Sequence, residues 1–473
     1  MIETGRTEAS SLSSDYNKLY IWTISFVAAL GGLLFGYDWV VIGGAKPFYE
    51  KFFYLTDPAR QGWAMSCALL GCLIGALLSG GLSDKAGRRR LLLLSAFLFA
   101  VSSIGTACAT HFHVFVFWRI VGGVAIGLAS NLSPMYIAEI APARARGKLV
   151  AINQLTIVVG ILLAQVVNWL IADKVPPKAT AQEILQSWNG QTGWRWMFGV
   201  TAAPSLLFFI GMWLVPESPR WLAKNGKPAR AGEILAKIGG ENYAAQALEE
   251  INASVANEIQ QVKFHDLLER AMRKVLLLGI VLAVFQQWCG INVIFNYAQE
   301  IFSAAGYDIS DTLKNIAWTG SVNLAFTFVA LGLVDKRGRR PLMLLGSIGL
   351  AAIYTVMGFC YQNQVKGWPM LLLVLAAIAC YSMSLAPVVW VVISEIFPNR
   401  IRGAAMSVCV ASLWIACFLL TDTFPILNHK LGPAKTFWIY AGICVAGFVF
   451  IKMFLPETKG KTLEQIEKEL VDL

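Results

Sequence analysis

Apolar runs of about 20 residues return from one end of this chain to the other, and each is long enough to cross ~30 Å of hydrocarbon as a helix. Twelve are read, at roughly 18–44, 61–82, 90–109, 113–134, 148–172, 195–215, 275–304, 313–334, 341–361, 368–394, 404–424 and 435–455. Only 14% of the 473 residues are charged, against about 25% in a soluble domain. Inside lipid a spanning segment has to satisfy its own backbone polar groups, and runs of this length do so as α-helices. The expected fold is therefore an all-α membrane protein with twelve transmembrane helices.

The net charge of +10 does not point to nucleic acid, because Lys and Arg crowd alternate loops. They gather at Lys85 to Arg90, Arg144 to Lys148, Lys224 to Lys274, Lys336 to Arg340, Arg400 and Arg402, and Lys459 and Lys461, and the intervening loops are poorer in them. That parity is the positive-inside pattern. It predicts a multi-pass protein of the cell (inner) membrane with both termini and the long middle loop in the cytoplasm. The polar start leads into a long first span without a small-residue cleavage site, so no removable signal peptide is expected. All nine cysteines fall in apolar spans without ligand spacing. They read as packing residues, not as a disulfide framework or a metal site. His111 and His113 sit in a short loop without acidic company. No Gly-x4-Gly-Lys-Ser/Thr loop is present, which argues against an ATP-driven pump. No nucleophile–base or metal set is found either, so neither an enzyme nor a cofactor is expected.

The chain also repeats itself. Asp84-Lys85-Ala86-Gly87-Arg88-Arg89 returns as Asp335-Lys336-Arg337-Gly338-Arg339-Arg340. Glu139-Ile140-Ala141-Pro142 with Arg146-Gly147 returns as Glu395-Ile396-Phe397-Pro398 with Arg402-Gly403, and Pro216-Glu217-Ser218 as Pro456-Glu457-Thr458. The order is kept and the offset is 240–256 residues. The expected organisation is a cytoplasmic tail (1–17), a six-helix bundle (18–216), a cytoplasmic linker with short helices (217–274), a second, pseudo-symmetric six-helix bundle (275–455) and a cytoplasmic tail (456–473). Two parallel six-span halves suggest a transporter that rocks one half against the other around a midplane site.

Six motifs then carry a resemblance that covers nearly the whole chain: GlyGlyLeuLeuPheGlyTyrAsp (31–38), AspLysAlaGlyArgArg (84–89), ArgIleValGlyGly (119–123), ProGluSerProArg (216–220), GlnGlnTrpCysGlyIleAsn (286–292) and ProGluThrLysGly (456–460). In order and spacing they resemble the sugar porter family of the major facilitator superfamily, and within it the bacterial D-xylose–proton symporter type. The resemblance implies the major facilitator fold, alternating access and proton-coupled import of a monosaccharide.

Three constellations bear on that chemistry. Asp38 stands in an apolar run, where a bare carboxylate costs roughly 2.5–3.5 kcal/mol on insertion scales. Arg119 is the candidate partner: each lies about six residues from the outward end of its span, hence ~9 Å deep. Apolar walls favour the protonated acid and a guanidinium favours the carboxylate, so a movement that parts them makes a proton switch. The plainer alternative is a static ion pair pinning spans 1 and 4. Gln154, Gln286, Gln287, Asn292 and Asn323 are amides inside spans, with the mixed donors and acceptors that sugar hydroxyls need; otherwise they tie helices together. Trp390 and Trp414 offer flat faces to sugar C–H groups, and the resemblance adds Phe35. Asp84, Arg88, Glu139, Arg146 and Glu217, repeated as Asp335, Arg339, Glu395, Arg402 and Glu457, pair acids with arginines at the cytoplasmic span ends. The expectation is a cytoplasmic gate; the same charges also set topology.

The pattern departs from the family in places. Ile161 and Leu413 stand where xylose-type members carry Gln, and Asn296 replaces the first Tyr of a Tyr-Tyr pair. Trp39 is bulkier than the residue expected after the acid. Xylose, arabinose, glucose, galactose and inositol all stay open. The alternatives are an uncoupled facilitative carrier, which Asp38 argues against, and a transporter-like sugar sensor, which the short tails disfavour. The expected partners are a monosaccharide, protons and the lipid bilayer, with no nucleic acid, and the protein is expected to act as a monomer.

Overall fold

The computed structural model describes residues 16–142, 144–177, 179–257, 270–397 and 402–459. The described part is nearly all helical. In the first half α1 (Lys18–Phe52), α2 (Pro58–Ala86), α3 (Arg88–Ala107), α4 (Phe112–Ile140) and α5 (Arg146–Ile171) are continuous. After the short α6 (Ala181–Gln186), one π-helical turn (Asn189–Gly193), α7 (Trp194–Gly199) and α8 (Ala202–Leu214) together make the sixth span. Two helices follow in the linker, α9 (Pro219–Lys224) and α10 (Pro228–Asn257), the latter broken at Gly240. The second half contains α11 (Arg270–Trp288), α12 (Ile291–Asn296), α13 (Ala298–Ala304), α14 (Ile309–Arg337), α15 (Arg339–Gln362), α16 (Trp368–Ser382), α17 (Leu385–Ile396) and α18 (Arg402–Phe454).

Eleven stretches among the described residues are long and apolar enough to cross a membrane. The twelfth is hidden in α18. Its 53 residues would run ~80 Å as one rod, more than twice the hydrocarbon thickness. The backbone turns at Gly432 (φ 78°, ψ 165°) just before Pro433, a left-handed conformation that suits glycine and ends the helical path. The count of twelve therefore holds. Leu77, Phe97, Phe117, Leu206, Phe328, Phe359 and Leu372 lie outward and exposed, as side chains that face hydrocarbon do.

Glycine lets the helices of the first half approach closely. Gly71 and Gly75 of α2 meet the backbone of Ile120 and Val124 in α4, and Gly123 and Gly127 of α4 meet Ala68 and Cys72 of α2. At each contact a Cβ would collide with a carbonyl oxygen. Small residues four apart on both helices are how spans pack when water supplies no driving force. Gly36 on α1 and Gly160 on α5 make the same contact, against Ile157 and Leu33.

The repeated Asp-Lys-x-Gly-Arg-Arg motif was expected as a loop. It is a corner of one residue: Gly87 (φ 92°) joins α2 to α3, and Gly338 (φ 91°) joins α14 to α15. The motif forces this because its acid and arginine both belong to helices and only the glycine adopts the positive φ. The other ends of α1, α2, α5, α14 and α18 lie away from these corners, so the molecule has a basic end and an opposite end. The linker docks at the basic end: Trp221 donates its indole N–H to the Asp84 carbonyl at 2.9 Å, and Asn17 N–H meets the Ile238 carbonyl at 2.7 Å.

The close approach at Gly123 has a measurable consequence. Gly123→Ala forces α2 and α4 apart and is expected to lower the melting temperature in detergent, since overpacking costs ~1–3 kcal/mol. Gly147→Ala, where a Cβ meets nothing within 4 Å, is expected to leave it unchanged. Equal melting temperatures for the two variants would refute the packing argument.

Candidate functional site: a buried ion pair beside an amide compartment

Asp38 and Arg119 meet. Arg119 Nη1 donates to Asp38 Oδ1 at 2.8 Å between α1 and α4, and both residues are buried. The guanidinium lies 5.3 Å from the centre of the Phe198 ring. Asp38 Oδ2 and Arg119 Nε are buried without a hydrogen-bond partner. Beside them is a cavity of about 10 Å³, lined by Asp38, Arg119, Trp39, Met65, Cys72 and Asn296 among others. That is room for roughly one water molecule. The pair thus keeps one carboxylate oxygen committed and one bare. α1 runs to Phe52, eight residues past its expected end, and its extra turns meet the other half.

The seventh span, expected as one helix, is broken twice. Gly290 adopts φ 88° between α11 and α12, and Tyr297 separates α12 from α13. The amides gather at the first break. Gln287 Nε2 donates to Gln286 Oε1 at 3.4 Å, and Asn292 Nδ2 donates to Gln287 Oε1. Gln286 Nε2 reaches the Ala386 carbonyl at 3.2 Å, where α17 begins after its own break from α16. Asn323 on α14 accepts from Ser382 Oγ at 2.7 Å. Interrupted helices leave backbone groups without helical partners, and membrane proteins place such breaks at polar sites. Asn292 Nδ2 also lies 3.7 Å from Cys417 Sγ, one turn beyond Trp414. Trp414 packs 6.1 Å from Phe35 and 5.9 Å from Trp39, which are themselves 6.0 Å apart. This triangle joins α1 to α18 and gives Trp39 a physical place that the sequence did not.

Two expected site residues stand apart from this cluster. Gln154 is exposed. It lies eleven residues, three turns of α5, before Gln165, so both share a face. At Gln165 that face meets the second half, through Thr319 Oγ1 at 3.3 Å; at Gln154 it is open. Trp390 keeps 37% of its surface exposed on α17 and does not join the aromatic triangle.

The halves meet at the opposite end. Ser66 Oγ donates to Asp422 at 2.9 Å, Val175 N–H donates to Ser310 Oγ at 3.0 Å, and Gly62 lies against the Asp422 backbone. Lys46 is 2% exposed and pairs with Glu50 at 3.0 Å and with Glu300 of α13. This cross-half triad escaped the sequence reading because its first span was closed at residue 44. Its signal was a lysine followed by an acid four residues later, with a second acid inside an apolar segment.

The repeated charges act within each half. Arg88 contacts Glu139 at 3.0 Å and Asp84 at 3.1 Å, while Ser218 Oγ also donates to Glu139. In the second half Arg339 contacts Glu395 at 3.1 Å and Thr458 Oγ1 donates to Glu395 at 2.6 Å. Glu217 and Glu457, expected among the guanidinium pairs, are helix caps. Glu217 Oε1 accepts the N–H groups of Arg88 and Arg89, both at 3.0 Å, and Glu457 accepts those of Arg339 and Arg340 at 3.0 and 3.1 Å. A carboxylate there satisfies free N–H groups and faces the positive end of the helix dipole. Arg146 is exposed at the start of α5, with no ion pair found among the described residues. The side chains of Asp335 and Arg402 lie outside the described residues.

Residues 24–470 match the family described as sugar (and other) transporter. The chain belongs to that family. It is 39% identical to the D-xylose-proton symporter of Escherichia coli K12, with 96% of this chain and 97% of that one aligned. It is also 39% identical to the glucose transport protein of Synechocystis (97% and 99% covered) and 38% identical to the arabinose-proton symporter of Bacillus subtilis (97% and 96%). Its structure resembles the inward open conformation of the E. coli xylose transporter XylE, with a TM-score of 0.83 at 38% identity over 95% of this chain and 100% of that one. The proton:xylose symporter XylE bound to 6-bromo-6-deoxy-D-glucose gives 0.76, at 38% identity over 96% and 100%. The major facilitator fold expected from the motifs is the fold observed, and members of this family are transporters, not enzymes.

The Lys46 triad of this sugar transporter is open to test. Lys46→Met leaves two carboxylates without their cation, and breaking a buried pair in this way costs ~3–5 kcal/mol. Spin labels at Arg60→Cys, in the first turn of α2, and at Lys430→Cys, just before the turn of α18 at Gly432, are expected to show a longer distance in Lys46→Met than in the parent. An unchanged distribution would mean that the triad does not hold this end closed.

Proposed function

We propose that this chain is a proton-coupled monosaccharide importer of the cell's inner membrane, with its basic end and both termini on the cytoplasmic side. The sugar is an aldose of the D-xylose, arabinose or glucose type carried by its relatives. One observation carries the proton part of this reading: a buried acid beside a water-sized cavity, held to arginine through one oxygen while the other has no hydrogen-bond partner. A proton delivered to Oδ2 neutralises the carboxylate, weakens its hold on Nη1 and releases Arg119. One proton crossing 100 mV supplies about 2.3 kcal/mol, enough for roughly 50-fold accumulation of a neutral sugar.

The amides Gln286, Gln287, Asn292 and Asn323 would hold the sugar hydroxyls, Phe35 and Trp414 its C–H faces, and Gln154 and Trp390 would reach it from the open space between the halves. Contacts at the opposite end with an open Gln154 face at the basic end fit an inward-facing state. Opening outward then requires the Lys46–Glu300 and Ser66–Asp422 contacts to part. The clusters around Arg88 and Arg339 would keep each half rigid, so that the halves move as bodies and the gate at the basic end closes as a unit.

Transport into vesicles tests this reading. With an inward proton gradient the wild-type protein is expected to concentrate labelled D-xylose, with arabinose, glucose, galactose and inositol ranked by competition. Asp38→Asn is expected to lose accumulation and keep sugar exchange; a variant that still concentrates sugar would leave an uncoupled carrier. Gln287→Ala is expected to raise the apparent KM at least several-fold, since its amide joins Gln286 to Asn292. An unchanged KM would remove that amide from the site.

A further inference from the structure

The second half sets one polar side chain against the ion pair of the first. The cavity beside Asp38 and Arg119 is lined from α1, α2 and α4, except for Asn296 of α12. Asn296 is 5% exposed, and its Oδ1 is buried without a hydrogen-bond partner, as are Asp38 Oδ2 and Arg119 Nε. The backbones are close here: a Cβ on Gly43, five residues after Asp38, would stand 3.1 Å from the Asn296 carbonyl oxygen. Asn296 ends a helix of six residues that lies between the breaks at Gly290 and Tyr297. One turn before it on that helix stands Asn292, whose amide donates to Gln287, and residues four apart share a helix face.

We infer that Asn296 is a positioning residue for proton coupling: one water in the cavity joins its Oδ1 to Asp38 Oδ2, so that the amide side of the second half feels the protonation state of the first. The inference rests on the proton-coupled reading above and deepens it. Three residues with unpartnered buried atoms line a space of about 10 Å³, and a bound water needs about that room and two to four polar partners. The ionised carboxylate and the amide oxygen only accept, so they cannot bond to each other, whereas a water donates to both and accepts from Arg119 Nε–H. A proton on Oδ2 turns that atom into a donor. The water then accepts from Asp38, and of the two acceptors it had, only Asn296 Oδ1 is left for its two O–H groups. A buried donor without an acceptor is costly, so the protonated site favours another placement of Asn296. Because α12 is short and broken at both ends, moving Asn296 carries Asn292 with it.

Two measurements in proteoliposomes test this with labelled D-xylose: steady-state accumulation under an inward proton gradient, and exchange without a gradient. Asn296→Leu keeps the bulk and removes the acceptor, and it is expected to lower the ratio of accumulation to exchange at least ~5-fold, the low end of ordinary coupling between sites. Asn296→Ser keeps an oxygen and leaves room for the water, and it is expected to hold most of the wild-type ratio. A purely structural role would lower accumulation and exchange together and would not separate Leu from Ser. If Asn296→Leu does not assemble, Asn296→Ala is measured in its place. An unchanged ratio in the variant without the acceptor, or an equal fall in the Ser variant, overturns the role of Asn296 and leaves the transport reading intact. A wild-type protein that exchanges xylose without accumulating it overturns the proton-coupled reading, and the inference with it.

Discussion

Hydrocarbon offers no partner to a polar group, so each acid, base or amide placed between these helices has to be met by another helix. The polar architecture follows from that constraint. Arg119 meets Asp38 across α1 and α4, Lys46 meets Glu300 across the two halves, and Asn323 meets Ser382 across α14 and α16. Each is at once a structural tie and a place where a rearrangement costs energy. The atoms left over are as informative: Asp38 Oδ2 is buried and bare, and a buried acceptor without a donor is costly.

The ties have a direction. Those at the basic end run inside each half, from Arg88 to Glu139 and from Arg339 to Glu395, with Glu217 and Glu457 capping α3 and α15. Those named at the opposite end run between halves. Strong bonds within a unit are what a two-body motion requires. The glycine contacts of α2 with α4 and of α1 with α5 serve the same end, since helices that touch backbone to backbone move together.

Much of this was legible before any coordinates. Hydrophobic runs gave the spans, since length and apolarity are what the bilayer demands, and the recurring Asp-Lys-x-Gly-Arg-Arg and Pro-Glu motifs revealed two related halves. The Asp38–Arg119 contact was within reach because both are charges in apolar runs at similar depth. Other features left weaker traces. The break at Gly290 hides in a run whose composition never changes, whereas the turn at Gly432 falls in the gap read between the spans at 404–424 and 435–455. Lys46 lies past residue 44, where the first span was closed, yet it is buried with partners on both halves. Glu217 offered only its charge, and its acceptance of two backbone N–H groups follows from where α3 begins in space. Trp39 packs against Trp414, 375 positions along the chain, a contact that local periodicity does not encode.

The Lys46–Glu300 contact has a bearing on the surroundings in which such a protein works. Mobile ions weaken attractions at a wetted surface and scarcely reach one enclosed by side chains. Lys46 is almost wholly enclosed. Its attraction to Glu50 and Glu300 therefore changes little between dilute and salty water.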